Sequence, residues 1–178
     1  MPNANTILDV QRIAKRFGAR VLFEDLSFSI AEGQKVGLIA RNGTGKSTLL
    51  AILTGIESAD SGTIVYRNGT RIGFLEQEPH FEPTDTVLEA CFDHKGDEDR
   101  VTKARQILTR LKIKDLEQPM GQLSGGQRKR VALARVLAAE PDFLILDEPT
   151  NHLDLEMIEW LEGFLSKGGK TLLMVTHD

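Results

Sequence analysis

Apolar and polar residues alternate along the first part of the chain. Leu26, Phe28 and Ile30 fall against Ser27 and Ser29, the period of two that marks a strand with one face buried. Ile7 to Phe17 and Val21 to Ile30 therefore read as antiparallel strands turning at Gly18-Ala19-Arg20. After Glu32-Gly33-Gln34, the apolar run Lys35 to Ala40 predicts a strand, and Ser47 to Leu53 a helix that Gly55 ends. Short strands follow at Gly62 to Arg67 and Ile72 to Leu75, with a turn at Asn68-Gly69. From about Thr84 to Ala139 the period lengthens to that of helices. Thr84 or Asp85 can cap a helix starting near Val87, and Val101, Ala104, Leu108 and Leu111 share one face of another. Beyond them, Phe143 to Leu146 and Thr171 to Val175 read as buried strands on either side of a helix from Leu155 to Leu165. Apolar strands in strand-helix-strand order imply a parallel sheet with both faces covered.

Composition narrows the class without changing this outline. A length of 178 residues with 40% hydrophobic and 27% charged residues suits one domain with a sizeable core. The net charge of -4 gives no overall pull toward nucleic acid or acidic lipid. The longest apolar runs, Phe143 to Leu146 and Leu172 to Val175, are strand-sized and far short of the roughly 20 residues that span a bilayer. A single cysteine, Cys91, rules out an intrachain disulfide, and Met1 to Thr6 lacks the regions of a secretory signal, so the expected location is the cytoplasm.

The chemistry lies at strand ends. Ala40-Arg41-Asn42-Gly43-Thr44-Gly45-Lys46-Ser47 matches the phosphate-loop pattern, with alanine in place of its first glycine. Consecutive N–H groups and the start of the next helix form a concavity for phosphate oxygens. Lys46 adds a charge that can reach the β and γ phosphates, and the Ser47 hydroxyl can ligate magnesium. Leu144-Ile145-Leu146-Asp147-Glu148 delivers two carboxylates at the end of an apolar strand, the edge where open α/β sheets bind ligands. Between these elements stands Leu123-Ser124-Gly125-Gly126-Gln127, a word expected by chance about once in 10^6 positions. It opens a helical stretch, Arg128 to Ala139, so Ser124, Gly125 and Gly126 offer a hydroxyl, N–H groups and a positive dipole end to an anion. Arg128-Lys129-Arg130 reads first as a solvated helix face and second as an RNA contact.

These elements, in this order, resemble the ATP-binding cassette (ABC) family over nearly the whole chain. The resemblance implies an α/β P-loop NTPase core with a parallel sheet, an antiparallel β subdomain and an inserted helical subdomain at about residues 84–139. It implies that ATP and Mg2+ are the cofactors, that Asp147 is directed at the metal, and that Glu148 polarises the attacking water. Gln77 matches the family's glutamine that approaches the metal, His177 the switch histidine on the γ phosphate, and Phe17 the aromatic that stacks on adenine. The implied nucleotide-binding set is then Phe17, Ala40, Arg41, Asn42, Gly43, Thr44, Gly45, Lys46, Ser47 and Thr48, with Leu123, Ser124, Gly125, Gly126 and Gln127 acting on a nucleotide held by an opposing cassette. Metal contacts fall to Ser47, Gln77 and Asp147.

Asn151-His152-Leu153-Asp154 resembles the loop that crosses the interface between cassettes, and Asp147 through Asp154 resembles the ABC-F branch. Such proteins usually carry two cassettes in one chain, and many act on the ribosome, which makes the ribosome or ribosomal RNA an expected partner. Residues 1–178 then form one nucleotide-binding domain, read as an N-terminal fragment ending just after the switch histidine; its partner is a second cassette or a second copy. The Asp93 to Arg100 stretch reads as a charged loop where many first cassettes insert an arm. Two other functions fit the same residues: an ATPase subunit docked on a membrane transporter, and a nucleotide-binding module without turnover.

Overall fold

A computed structural model describes residues 5–39, 43–92 and 98–176. These fall into two compact units, one of residues 1–74, 142–148 and 169–178, the other of residues 75–141 and 149–168.

In the first unit the alternating segments pair as expected. Strands β1 (Thr6–Phe17) and β2 (Arg20–Ala31) run antiparallel, and β4 (Ser61–Tyr66) lies on the other side of β1. The β1–β2 register slips between Val10 and Ile13, where Arg12 has a φ of 51°, the mark of a bulge that leaves one residue unpaired. A second sheet has the order β3-β7-β6-β5, with β3 (Lys35–Ile39), β7 (Thr171–Thr176) and β6 (Phe143–Asp147) mutually parallel and β5 (Ile72–Leu75) beside β6. The Asn68-Gly69 turn is present, with Gly69 at a φ of 79° and Thr70 N–H donating to the Arg67 carbonyl at 3.1 Å. It carries the chain from one sheet to the other, since β4 and β5 lie in different sheets.

Helix α1 (Lys46–Leu53) packs its buried Leu49, Leu50 and Leu53 into a core shared with Ile7, Leu8, Val10 and Ile13 of β1 and with Phe143, Ile145, Leu173 and Val175. β6 is buried at every position, as a central strand must be when both faces are covered. Arg71 and Asp142 fasten β5 to β6: the Asp142 carboxylate accepts from the Arg71 backbone N–H at 2.9 Å and from its guanidinium at 3.0 Å.

The second unit is built on α2 (Glu98–Arg110), α3 (Gly125–Ala138) and α4 (Leu155–Ser166). Ala104, Leu108 and Leu111 are fully buried, as their spacing predicts. Two local expectations fail. Instead of a helix from Val87 there is a single tight turn, Glu89–Cys91. Ala90 N–H donates to the Thr86 carbonyl at 2.9 Å, but Cys91 and Phe92 N–H reach only three residues back, to Leu88 and Glu89 at 3.1 and 3.0 Å, and Phe92 is extended at φ -134° and ψ 132°, which ends the helix after one turn. Glu98 to Arg100, read as loop, belongs to α2, while the remainder of that stretch, Asp93 to Asp97, lies outside the described residues. Cys91 is 1% exposed, and burial pushes its thiol up to about 12, so it is an inert core residue. Among the described residues no helix is long and apolar enough to cross a membrane.

Candidate active site

Helix α1 starts at the phosphate loop. Gly43 and Gly45 have φ values of 75° and 95°, a region that side chains disfavour. Gly45 caps the helix, and its carbonyl accepts from Leu49 N–H at 2.8 Å. A Cβ on Gly45 would stand 3.2 Å from Leu22 Cβ, so the loop is held tightly against β2. Lys46 is buried, whereas Thr44 and Ser47 are exposed and Thr48 is half-buried. Ala40, Arg41 and Asn42 lie outside the described residues, as does His177.

Because β3, β7 and β6 are parallel, the end of β6 shares an edge with the end of β3, with Ile39 opposite Thr176 and Asp147 opposite Val175. Asp147 is buried there, and the Ser47 hydroxyl donates to its Oδ2 at 3.4 Å. Glu148 follows at a φ of 49°, its N–H donating to the Val175 carbonyl at 2.9 Å. A non-glycine residue held in the left-handed region is a strained placement that the surrounding sheet must enforce. A hydroxyl beside a carboxylate supplies hard oxygen ligands, which fit magnesium. Among the described residues no cluster of three or more His, Cys, Asp or Glu could hold a metal.

Phe17 ends β1 with half its surface exposed. Across the two-residue turn it pairs with Arg20, whose Nη2 donates to the Gly43 carbonyl of the phosphate loop. The first unit therefore gathers Phe17, Gly43 to Thr48, Asp147 and Glu148. Arg20 is the residue that sequence reasoning left out. Read from the sequence as the last residue of the turn, it is instead the first residue of β2, paired with Phe17.

In the second unit Gln77 is exposed in a bend after β5. Ser124 caps α3 in a reciprocal capping box: its hydroxyl accepts from Gln127 N–H at 3.2 Å, and the Gln127 side chain accepts from Ser124 N–H at 2.9 Å. Ser124 and Gly125 are exposed, while Leu123 is buried beneath them. Two of the three basic residues that follow are turned to structural use. Arg128 donates to the Leu123 carbonyl at 3.0 Å and Arg130 to the Leu111 carbonyl at 2.8 Å, so the run is not a simple solvated face.

The loop after Glu148 packs on this turn. A Cβ on Gly126 would lie 3.3 Å from Cβ of His152, itself at a φ of 68°. Asp154 caps α4 through Met157 N–H at 3.0 Å and accepts from Lys112 Nζ at 2.8 Å; the Lys112 bond, with the cap behind it, holds the carboxyl below its usual range. Gly126→Ala should gain about 1 kcal/mol from helix propensity and lose it to the His152 contact. In a His152→Gly background, which removes that Cβ and suits the positive φ, the gain should appear in full in urea unfolding; equal effects in both backgrounds would exclude the contact.

The sequence profile described as ABC transporter matches residues 23–151. The chain belongs to this family, as an ABC ATP-binding domain. Its cassette fold is shared with the dimeric post-hydrolysis form of the ATP-binding cassette MJ0796 bound to ADP and Pi, at a TM-score of 0.80 and 26% identity over 97% of this chain and 88% of that one. By sequence the cassette is 38% identical to the uncharacterized ABC transporter ATP-binding protein YfmR of Bacillus subtilis, over 97% of this chain and 34% of that protein. It is 39% identical to the ribosome protection protein VmlR of the same organism, over 96% of this chain and 31% of that protein. The cassette thus spans about a third of the length of the curated relatives it matches. The YfmR alignment occupies 213 positions, more than the cassette's 178 residues, so YfmR has residues with no counterpart here; the VmlR alignment occupies 173. As an ABC ATPase domain, the cassette belongs to a class of enzymes that use ATP with Mg2+.

Proposed function

We propose that this cassette hydrolyses Mg-ATP at an interface with a second cassette, within a cytoplasmic ABC-F protein that acts on the ribosome. The hydrolytic half rests on one observation: Ser47 and Asp147 meet at 3.4 Å between buried Lys46 and strained Glu148. Lys46 and the loop amides from Ala40 to Thr48 bind the β and γ phosphates, and Phe17 stacks on the base. Ser47, Asp147 and Gln77 would hold the magnesium ion, which would supply positive charge against that of the phosphates. Glu148 orients and deprotonates water, and His177 contacts the γ phosphate.

Pairing draws support from the second unit. The turn at Ser124 and Gly125 is exposed at the N-terminus of α3, and Leu123 to Gln127 would close the site of a partner cassette. The description of MJ0796 as a dimer with ADP and Pi agrees with this reading. Turnover should therefore rise faster than linearly with protein concentration, and Ser124→Arg should abolish it while leaving ATP binding intact. Linear turnover unaffected by Ser124→Arg would exclude pairing.

Support for the ribosome comes from the likeness to VmlR and from the tract Asp147 to Asp154. The name of YfmR favours a second reading, an ATPase subunit of a membrane transporter. Sedimentation of the protein with ribosomes in the presence of a non-hydrolysable ATP analogue is expected; sedimentation with membranes alone would favour the transporter.

A further inference from the structure

Lys15 is a buried cation that the reading so far leaves unused. Its side chain is 8% exposed, on a strand that otherwise buries apolar residues on that side. The ammonium donates to Glu57 Oε1 at 2.8 Å and to the Ser58 carbonyl at 2.7 Å, and lies 3.6 Å from Asp60 Oδ1. The hydrogen bond to Glu57, reinforced by both carboxylates against the cost of burial, raises its pKa, so it is fully charged. All three partners lie in the segment that leaves the phosphate-loop helix, where Ile56 and Glu57 N–H groups donate to the Ala51 carbonyl of α1 at 2.9 and 3.1 Å.

Lys15 also stands over one face of Phe17, its Nζ 5.3 Å from the ring centroid, within the range of a cation–π contact. Residues two apart on a strand share a side, and the rest of Phe17 is half exposed. One face of the ring is thus backed by an ammonium tied to the trailing end of α1, while the turn beyond the ring is tied through Arg20 to Gly43 at its leading end. A base platform must stand at a set distance from the phosphate grip, because one nucleotide has to satisfy both.

We infer that Lys15 is a positioning residue for the adenine base: it pins Phe17 from behind at a fixed offset from the phosphate loop and leaves one face open for stacking. The inference rests on the assignment of Phe17 as the base platform. The probes are ATP and inorganic tripolyphosphate, each with magnesium and titrated calorimetrically. Tripolyphosphate engages the phosphate loop and has no base, so a folding defect lowers both affinities and a positioning defect lowers one.

Lys15→Met keeps the stem length. It should weaken ATP about threefold to tenfold, the range of a partly buried cation–π contact, and leave tripolyphosphate unchanged. It should add nothing in a Phe17→Ala background, and Lys15→Arg should restore most of the loss. Should the buried methionine upset folding, Glu57→Gln loosens the tether while keeping Lys15, and the same selective loss, smaller in size, is expected. If Phe17→Ala weakens ATP but neither Lys15→Met nor Glu57→Gln does so selectively, the inference is wrong and the platform stands. If Phe17→Ala leaves ATP affinity unchanged, the platform assignment fails and takes the inference with it.

Discussion

Gly62→Ala is expected to destabilise the first unit strongly. Gly62 has a φ of 92°, and a Cβ built there falls 2.5 Å from the Arg12 carbonyl oxygen and from the backbone N and Cα of Ile13. None of these atoms belongs to a flexible side chain. They lie at the bulge of β1, a strand paired on both sides, and Ile13 is fully buried in the core. Relief requires β4 to separate from β1 or the bulge to move, with the left-handed φ adding its own strain. Together these should cost about 3–5 kcal/mol, a large share of the stability of an ordinary domain. Gly163→Ala is the internal contrast: it sits in α4 with nothing within 4 Å of the new Cβ, and should stabilise by up to about 1 kcal/mol. Urea unfolding of both variants checks the argument, and a Gly62→Ala loss below about 1 kcal/mol would contradict the backbone approach.

The largest expected effect on chemistry follows Glu148→Gln. The amide has nearly the shape of the carboxylate and keeps a hydrogen-bond acceptor, so the strained backbone and its bond to Val175 should survive. What disappears is the carboxylate we propose as the base. General-base catalysis is worth roughly 10^2-fold to 10^4-fold, and steady-state phosphate release should fall by at least the lower figure. ATP binding should persist, because Lys46 and Ser47 are untouched, and paired cassettes should accumulate with ATP trapped between them, visible as a larger species in gel filtration. Turnover equal to that of the unaltered chain would remove Glu148 from the reaction.

Sequence made the first unit legible because its signals are local. Alternation placed β1 and β2, and the glycine pattern with Lys46 placed the phosphate loop where α1 begins. An apolar run with two terminal acids placed β6. The failures are non-local. The turn at Glu89 to Cys91 stops at extended Phe92, and the segment before it is tied to Leu116 and Gln118, partners that no window around Val87 contains. Arg128 and Arg130 look like a solvated run until their carbonyl partners, Leu123 and Leu111, are in view. Lys15 reads as an ordinary strand lysine, because Glu57 and Asp60 are far from it in the chain. Gln77 and Leu123 to Gln127 are legible by resemblance alone, since no local pattern of apolar residues singles them out.

The chain has one tryptophan and one tyrosine, and they fall in different units. Tyr66 is in β4 of the first unit, where its hydroxyl donates to the Leu53 carbonyl at 2.6 Å and burial raises its pKa. Trp160 is in α4 of the second unit, its ring centroid 5.5 Å from that of Phe164. Each unit therefore carries its own optical reporter without added dye. Tryptophan fluorescence excited at the red edge follows the helical unit alone, and the ionisation of the tyrosine at high pH reports when the sheet unit lets solvent in. Coincident transitions at the two probes would describe a single cooperative block, and separated ones would give each unit its own melting curve from a single unmodified sample.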